Sequence, residues 1–319
     1  MHQVGWPVEQ ARQVPQLARV AMTTWSPGLT ERTSEPTAST TPAPSWPRTD
    51  GDFHGMVPLI TDRSLWQTPA APMATRTSVF TESTIVKEVQ AVKISKDVPM
   101  TSACLIGCGV LTGVGSVLNR ARVQTGETAA VFGVGGVGLN VIQGLRLAGA
   151  SRIIAVDTLA SKEDLARQFG ATHFVDASTT DAVAAIREIV PSNPSKVSGA
   201  LGWFGGVNWS FDCVGHPAVL RNALDVLDWG GNALAIGIPP QGTEVSVDVN
   251  ALAYVDRGLL GCRYGSSRPH HDIPLMVELY LSGQLMLDEL VTETRPLEGF
   301  REIVEDMEAG KLARGVLTF

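Results

Sequence analysis

The strongest patterning in the chain lies between positions 128 and 157, where a continuous apolar run gives way to helical spacing and then to a second apolar run. Ala129-Ala130-Val131-Phe132 has the length and composition of a strand covered on both faces. After a glycine-rich stretch, Val137, Val141, Ile142 and Leu145 recur at intervals that align them on one face of a helix, which Gly149 ends. Positions 152–156 read as a second strand, closed by Asp157. Ser161 with Asp164 has the form of a capping box for a helix that Gly170 closes. The pattern then predicts a strand at 173–176, a helix at 181–190, a loop at 191–206 and a strand at 207–213. Pro217 suits the first turn of a helix over 218–227, which Gly230-Gly231 ends. Strands at 232–238 and 258–264 complete the series, the last at a sheet edge. Strands alternating with helices of this length predict an α/β, doubly wound parallel sheet with right-handed crossovers.

On either side the pattern is different. Positions 78–86 and 91–94 read as strands, followed by a helix carrying Ser102 to Ile106. Gly107-Cys108-Gly109 and Thr112-Gly113 then break the spacing before a second helical stretch at 115–121. Beyond Gly265 the pattern predicts helices at 273–281 and 297–308 and a terminal strand at 315–319. Residues 1–75 show no sustained period of either kind, and the segment 33–44 is low in complexity. They contain 10 of the 19 prolines and no lysine or cysteine, so they are expected to form a disordered leader too apolar-poor to offset the entropy of ordering it.

A length of 319 residues suits two domains on a prior of about 100–200 residues each. The net charge of −7 and the lack of a basic tract argue against nucleic acid or an anionic membrane as partners. No apolar run is read as reaching the roughly 18 residues of a membrane span, and the first 20 lack the apolar core of a secretory signal. Four scattered cysteines do not make a disulfide framework. The expected setting is reducing and cytoplasmic.

Candidate chemistry enters at the glycines between the first strand and its helix. Gly133-Val134-Gly135-Gly136-Val137-Gly138 fits G-x-G-x-x-G, and Asp157 follows about 20 positions on. Glycines in this pattern turn tightly and let backbone approach a pyrophosphate at the helix N-terminus, while the acid accepts hydrogen bonds from a ribose diol. Without the strand before it and the helix after it, the motif would mark an ordinary glycine turn. With both in place it predicts dinucleotide binding.

From position 80 to 319 the chain resembles the zinc-dependent medium-chain alcohol dehydrogenases, in the branch of the glutathione-linked formaldehyde enzymes. The resemblance is carried by CLIGCGVLTGVGSVLNRA (104–121), the glycine fingerprint, GATHFVD (170–176), SFDCVG (210–215), AIGIPP (235–240) and ARGVLTF (313–319), in family order and at near-family spacing. It implies a six-stranded Rossmann domain binding NAD over 121–265. It also implies a truncated GroES-like catalytic domain made of 76–120 and 266–319, after the leader at 1–75. By this resemblance Gly133, Gly135, Gly136, Val137 and Gly138 hold the pyrophosphate, joined by Arg314, and Asp157 and Lys162 hold the adenosine ribose. Thr158 stands where NADP-users tend to carry a basic residue, so NAD is favoured. Cys108 falls on the third protein ligand of a catalytic zinc, and Thr112 on a catalytic position beside the nicotinamide. The implied partners are a small alcohol or aldehyde substrate and a second copy of the chain, paired near 259–264. The bland reading of Lys162 is a solvated helix start, and that of Cys108 a small buried hydrophobe. Cys104, Cys213 and Cys262 take the latter reading outright.

The departure from the family is equally specific. Members supply two further catalytic zinc ligands upstream, a cysteine and a histidine followed by glutamate, and four clustered cysteines for a structural zinc. Here no cysteine precedes Cys104, and His54 lies between Phe53 and Gly55 in an unmatched context. Zinc is therefore an expectation with one clear ligand, Cys108. The alternative is an NAD-binding relative without turnover, residues 1–75 standing in place of the zinc-bearing lobe.

Overall fold

The computed structural model describes residues 90–191 and 205–318, together with the backbone of Val20–Met22. The expected strand at 78–86, His54, most of the loop 191–206 and all the leader except Val20–Met22 lie outside the described residues. The chain divides into two compact units, one of residues 94–291 and one of 1–93 with 292–319. The helices flanking the sheet, expected in a catalytic remnant with boundaries at 120 and 266, thus group with the sheet.

The larger unit is built on a six-stranded sheet. Its strands are β2 (Thr128–Phe132), β3 (Arg152–Asp157), β4 (His173–Asp176), β5 (Val207–Asp212), β6 (Leu227–Ala235) and β7 (Gly258–Gly261), in the order β4-β3-β2-β5-β6-β7. Every pairing is parallel. Between them run α2 (Gly136–Ala148), α3 (Glu163–Phe169), α4 (Ala182–Ile189), α5 (Pro217–Asp225) and the short α6 (Val249–Ala253). Ala130 and Phe132 of β2 join Ile154, Val156, Val175, Ile186 and Leu224 in one buried cluster, while Ala129 and Val131 are equally buried on the opposite face. Both faces being covered is why the strands read as continuous apolar runs. The caps follow the chain's chemistry: Asp181 accepts from the Ala184 N–H at the start of α4, Pro217 opens α5, and Gly149 and Gly170 end α2 and α3 in left-handed backbone.

Several local expectations are corrected. The glycines at 107–115 do not interrupt a helix: α1 runs unbroken over Met100–Ala121, with two wider π-type turns at Ile106–Val110 and Ser116–Ala121. Their reason is close packing. A Cβ on Gly113 would lie 2.7 Å from the Val137 carbonyl oxygen, and one on Gly115 2.7 Å from that of Gly265. At 22 residues α1 is also long and apolar enough to cross a membrane, contrary to the reading that no such run exists. Two thirds of its most apolar window is buried by the protein itself, the mark of a core helix.

Ser161 makes no capping box, because 160–162 winds as a 3₁₀ turn and α3 starts only at Glu163 with no side-chain cap. Gly230-Gly231 lie inside β6, in a bulge that shifts its register against β5 between Val207 and Trp209. Residues 91–94 form no strand. After β7 comes α7 (Pro269–Leu281), fastened at its start by the buried Asp272, which accepts from the Arg268 N–H and from Asn119 of α1.

In the smaller unit β9 (Gly315–Thr318) pairs in parallel with β8 (Glu293–Pro296) and antiparallel with β1 (Val20–Met22). Helix α8 (Phe300–Glu308) buries Ile303. Arg295 reaches both Glu293 at 2.5 Å and Asp306 at 3.0 Å. The pattern predicts neither β8 nor β1.

Candidate dinucleotide site

Strand β2 delivers the chain into the glycine loop. Gly133 has φ +90°, which a side chain rarely adopts. Its N–H donates to the Val156 carbonyl of β3, fixing the loop at the end of the sheet. Helix α2 begins at Gly136 with Gly135 as its N-cap, no side-chain cap and no acid in its first turn. Its free N–H groups and the positive end of its dipole suit an anionic group. The two later glycines do different work. A Cβ on Gly138 would fall 1.8 Å from the Gly133 carbonyl oxygen, so only glycine lets the helix sit this close to the strand. A Cβ on Gly135 would meet nothing within 4 Å, so this side of the loop is open.

Asp157, at the end of β3, faces that loop. Its Oδ2 accepts from the Val134 N–H at 2.7 Å and from Lys162 Nζ at 2.9 Å, and its Oδ1 from the Leu159 N–H at 3.1 Å. The carboxylate is 7% exposed, and Lys162 24%. The structure thus brings together Gly133, Gly135, Gly136, Val137, Gly138, Asp157 and Lys162. Thr158 is exposed beside them. Arg314 belongs to the smaller unit, on the turn before β9, where its carbonyl accepts from the Thr292 N–H.

On the other side of β2, the turn after β5 carries Asp212 to His216 and the loop after β6 carries Ile236 to Pro240. Gly215 and Gly237 are in backbone contact, since a Cβ on Gly237 would fall 2.2 Å from the Gly215 nitrogen. Val214 and Ile238 stand exposed there at 50% and 87%. With β3 on one flank of β2 and β5 on the other, the glycine loop lies at the switch point of the sheet, where open α/β sheets form a ligand crevice.

Cys108 and Thr112 sit one turn apart on α1, both half-buried. A Cβ on Gly113, next to Thr112, would lie 2.7 Å from the Val137 carbonyl oxygen, so α1 adjoins the fingerprint helix at Gly113. The Tyr264 hydroxyl donates to the Gly107 carbonyl at 2.6 Å, and burial together with the Cys108 thiol holds the phenol above its ordinary pKa. Among the described residues no three His, Cys, Asp or Glu side chains are grouped to hold a metal ion. A catalytic zinc needs about three protein ligands and an open position, so the described residues do not fit one. Of the other cysteines, Cys262 is buried, whereas Cys104 and Cys213 are only half-buried. Burial raises the thiols of both Cys213 and Cys262.

Sequence reading singles out Asp157 and passes over Asp212, although both are acids that close an apolar strand before a turn. Asp212 is 1% exposed, and its Oδ1 accepts from the N–H groups of Val214 at 2.9 Å and Gly215 at 3.0 Å. Tyr264 is also invisible in the sequence, since its role depends on a left-handed backbone at 264–266.

Comparison with known proteins finds similar sequences and structures among the dehydrogenases. A family model described as zinc-binding dehydrogenase matches residues 136–282. S-(hydroxymethyl)glutathione dehydrogenase of Paracoccus denitrificans is 39% identical over 243 residues, 76% of this chain and 63% of that protein. The enzyme of the same description from Haemophilus influenzae is 36% identical over 271 residues, 85% of this chain and 68% of its own length. Among solved structures, an alcohol dehydrogenase zinc-binding domain protein from Burkholderia ambifaria superposes with a TM-score of 0.66 at 36% identity, covering 72% of this chain and 58% of that one. The chain therefore spans roughly three fifths to two thirds of the length of these relatives.

Proposed function

The chain belongs to the zinc-binding dehydrogenase family, and from that premise we propose that it is an oxidoreductase of the alcohol dehydrogenase type that uses NAD. The proposed reaction is hydride transfer between the nicotinamide and a primary alcohol, or a thiol–hydroxymethyl adduct like the one named in its relatives. We assign NAD binding to the segment 121–265. The observation that carries the reading is Asp157, held beside the glycine loop by the Val134 N–H, where a carboxylate suits a ribose diol and repels a 2′-phosphate. In this reading Gly135 and the N-terminus of α2 take the pyrophosphate, and Lys162 steadies the ribose from the far side of Asp157. Thr112 is proposed to add a contact beside the nicotinamide.

A second reading is favoured by the metal ligands. Zinc would supply a Lewis acid for the substrate oxygen, but among the described residues no three His, Cys, Asp or Glu side chains are grouped to hold it. The chain would then bind NAD without ordinary turnover. NADH formation from primary alcohols by the full chain, with and without added zinc, separates the two. Family-level turnover supports the oxidoreductase, and cofactor binding with no turnover under either condition supports the second reading.

We further propose a cytoplasmic homodimer. Strand β7 forms an edge of the sheet, paired with β6 on one side, and exposes Leu259 and Gly261. Such an edge is usually covered or paired.

A further inference from the structure

Asp212 has no part in any contact assigned above, yet it bonds to both loops on its side of the crevice. Its carboxylate Oδ1 gathers the N–H groups of Val214 and Gly215, closing the turn after β5. Its backbone carbonyl accepts from Ile236 at 3.0 Å and from Gly237 at 2.9 Å, closing the loop after β6. The side chain is 1% exposed, so these bonds lie in a low-dielectric surround where hydrogen bonds to a carboxylate are strong. Between the two closed loops, Gly215 and Gly237 touch through backbone alone. Val214 and Ile238, each next to one of these glycines, are left exposed at the crevice.

The side of the sheet matters. Asp157 lies on the β3 side of the glycine loop, which assigns the adenosine half of a dinucleotide to that side and leaves the β5–β6 side for the nicotinamide half. Resting on the NAD-binding reading, we propose that Asp212 is a positioning residue for the nicotinamide half: it locks the turn at 213–216 against the loop at 236–240, so that Val214 and Ile238 form one preset apolar wall. Asp212 touches neither cofactor nor substrate and acts through the two loops. Its titratable neighbours are His216 and Cys213, both on the same turn.

The test compares two ligands on the full chain, NADH and ADP-ribose, which shares the adenosine and pyrophosphate but lacks the nicotinamide. Asp212→Ala should weaken NADH about tenfold, the equivalent of about 1.4 kcal/mol, and leave ADP-ribose unchanged. Equal losses for both ligands, or a loss for neither, would overturn the positioning role. Wild-type protein that binds neither ligand would instead overturn the NAD reading on which the role rests. Asp212→Asn keeps an acceptor for both N–H groups and guards against a misfolded alanine variant. Its NADH to ADP-ribose affinity ratio should match wild type. An Asp212→Asn ratio as low as that of Asp212→Ala would contradict the proposal.

Discussion

The Val134 N–H and the Asp157 carboxylate meet at 2.7 Å across 23 residues of chain, binding the glycine loop to the end of the neighbouring strand. One oxygen thereby tethers the loop while also holding Lys162, and the acid is fixed in place before any ligand arrives. A site held in advance loses less entropy on binding.

The two glycines should separate folding from binding. Gly135→Ala has open space for its methyl group and an unstrained φ of −96°, so stability should stay within about 0.5 kcal/mol of wild type while NAD affinity falls tenfold or more. Gly138→Ala drives a methyl group into the Gly133 carbonyl and should cost about 3 kcal/mol of stability as well as binding. Urea denaturation and calorimetric titration of each variant check this. Equal stability losses for the two would contradict the roles assigned to them.

Burial holds the Asp212 carboxyl above the ordinary carboxylate value of 3.8, outweighing the two N–H bonds and His216, which lower it. A raised acid favours folding in its protonated form, so its contribution is fully present below the unfolded value and is lost as pH rises through the folded one. Asp212→Asn removes that loss. Its melting temperature relative to wild type should rise between pH 4 and pH 8. A difference that is flat with pH, or falls, would rule out the stated cause.

Light scattering at micromolar concentration should give a mass near twice the 33.9 kDa of one chain. Leu259→Lys, which places a charge on the exposed edge of β7, should shift the mass toward one chain with little effect on monomer stability. A wild-type protein that stays monomeric would remove the dimer from the account.

The central sheet was legible because its strands are short apolar runs between glycines, and burial on both faces leaves little else for such runs to do. The glycine loop and Asp157 were legible for the same reason, being fixed by their place at the end of β2 and β3. What escaped depended on partners distant in the chain. The glycines of α1 look like helix breakers until Gly113 is seen against Val137 and Gly115 against Gly265. Gly230-Gly231 look like a terminus until β5 supplies the bulged register. Asp212 looks like any strand-end acid until the loops at 213–216 and 236–240 close on it. Strand β8 is only four residues, alternately half-buried and exposed, too short to announce itself.

The most direct measurement is calorimetric titration of the full chain with NAD and NADP, repeated with Asp157→Ser. The account predicts that wild-type protein binds NAD more tightly, since a 2′-phosphate of about −1.5 to −2 charge would face the Asp157 carboxylate. The serine variant should narrow the gap. Equal affinities for the two cofactors in wild-type protein, or a gap unchanged by the substitution, would contradict it.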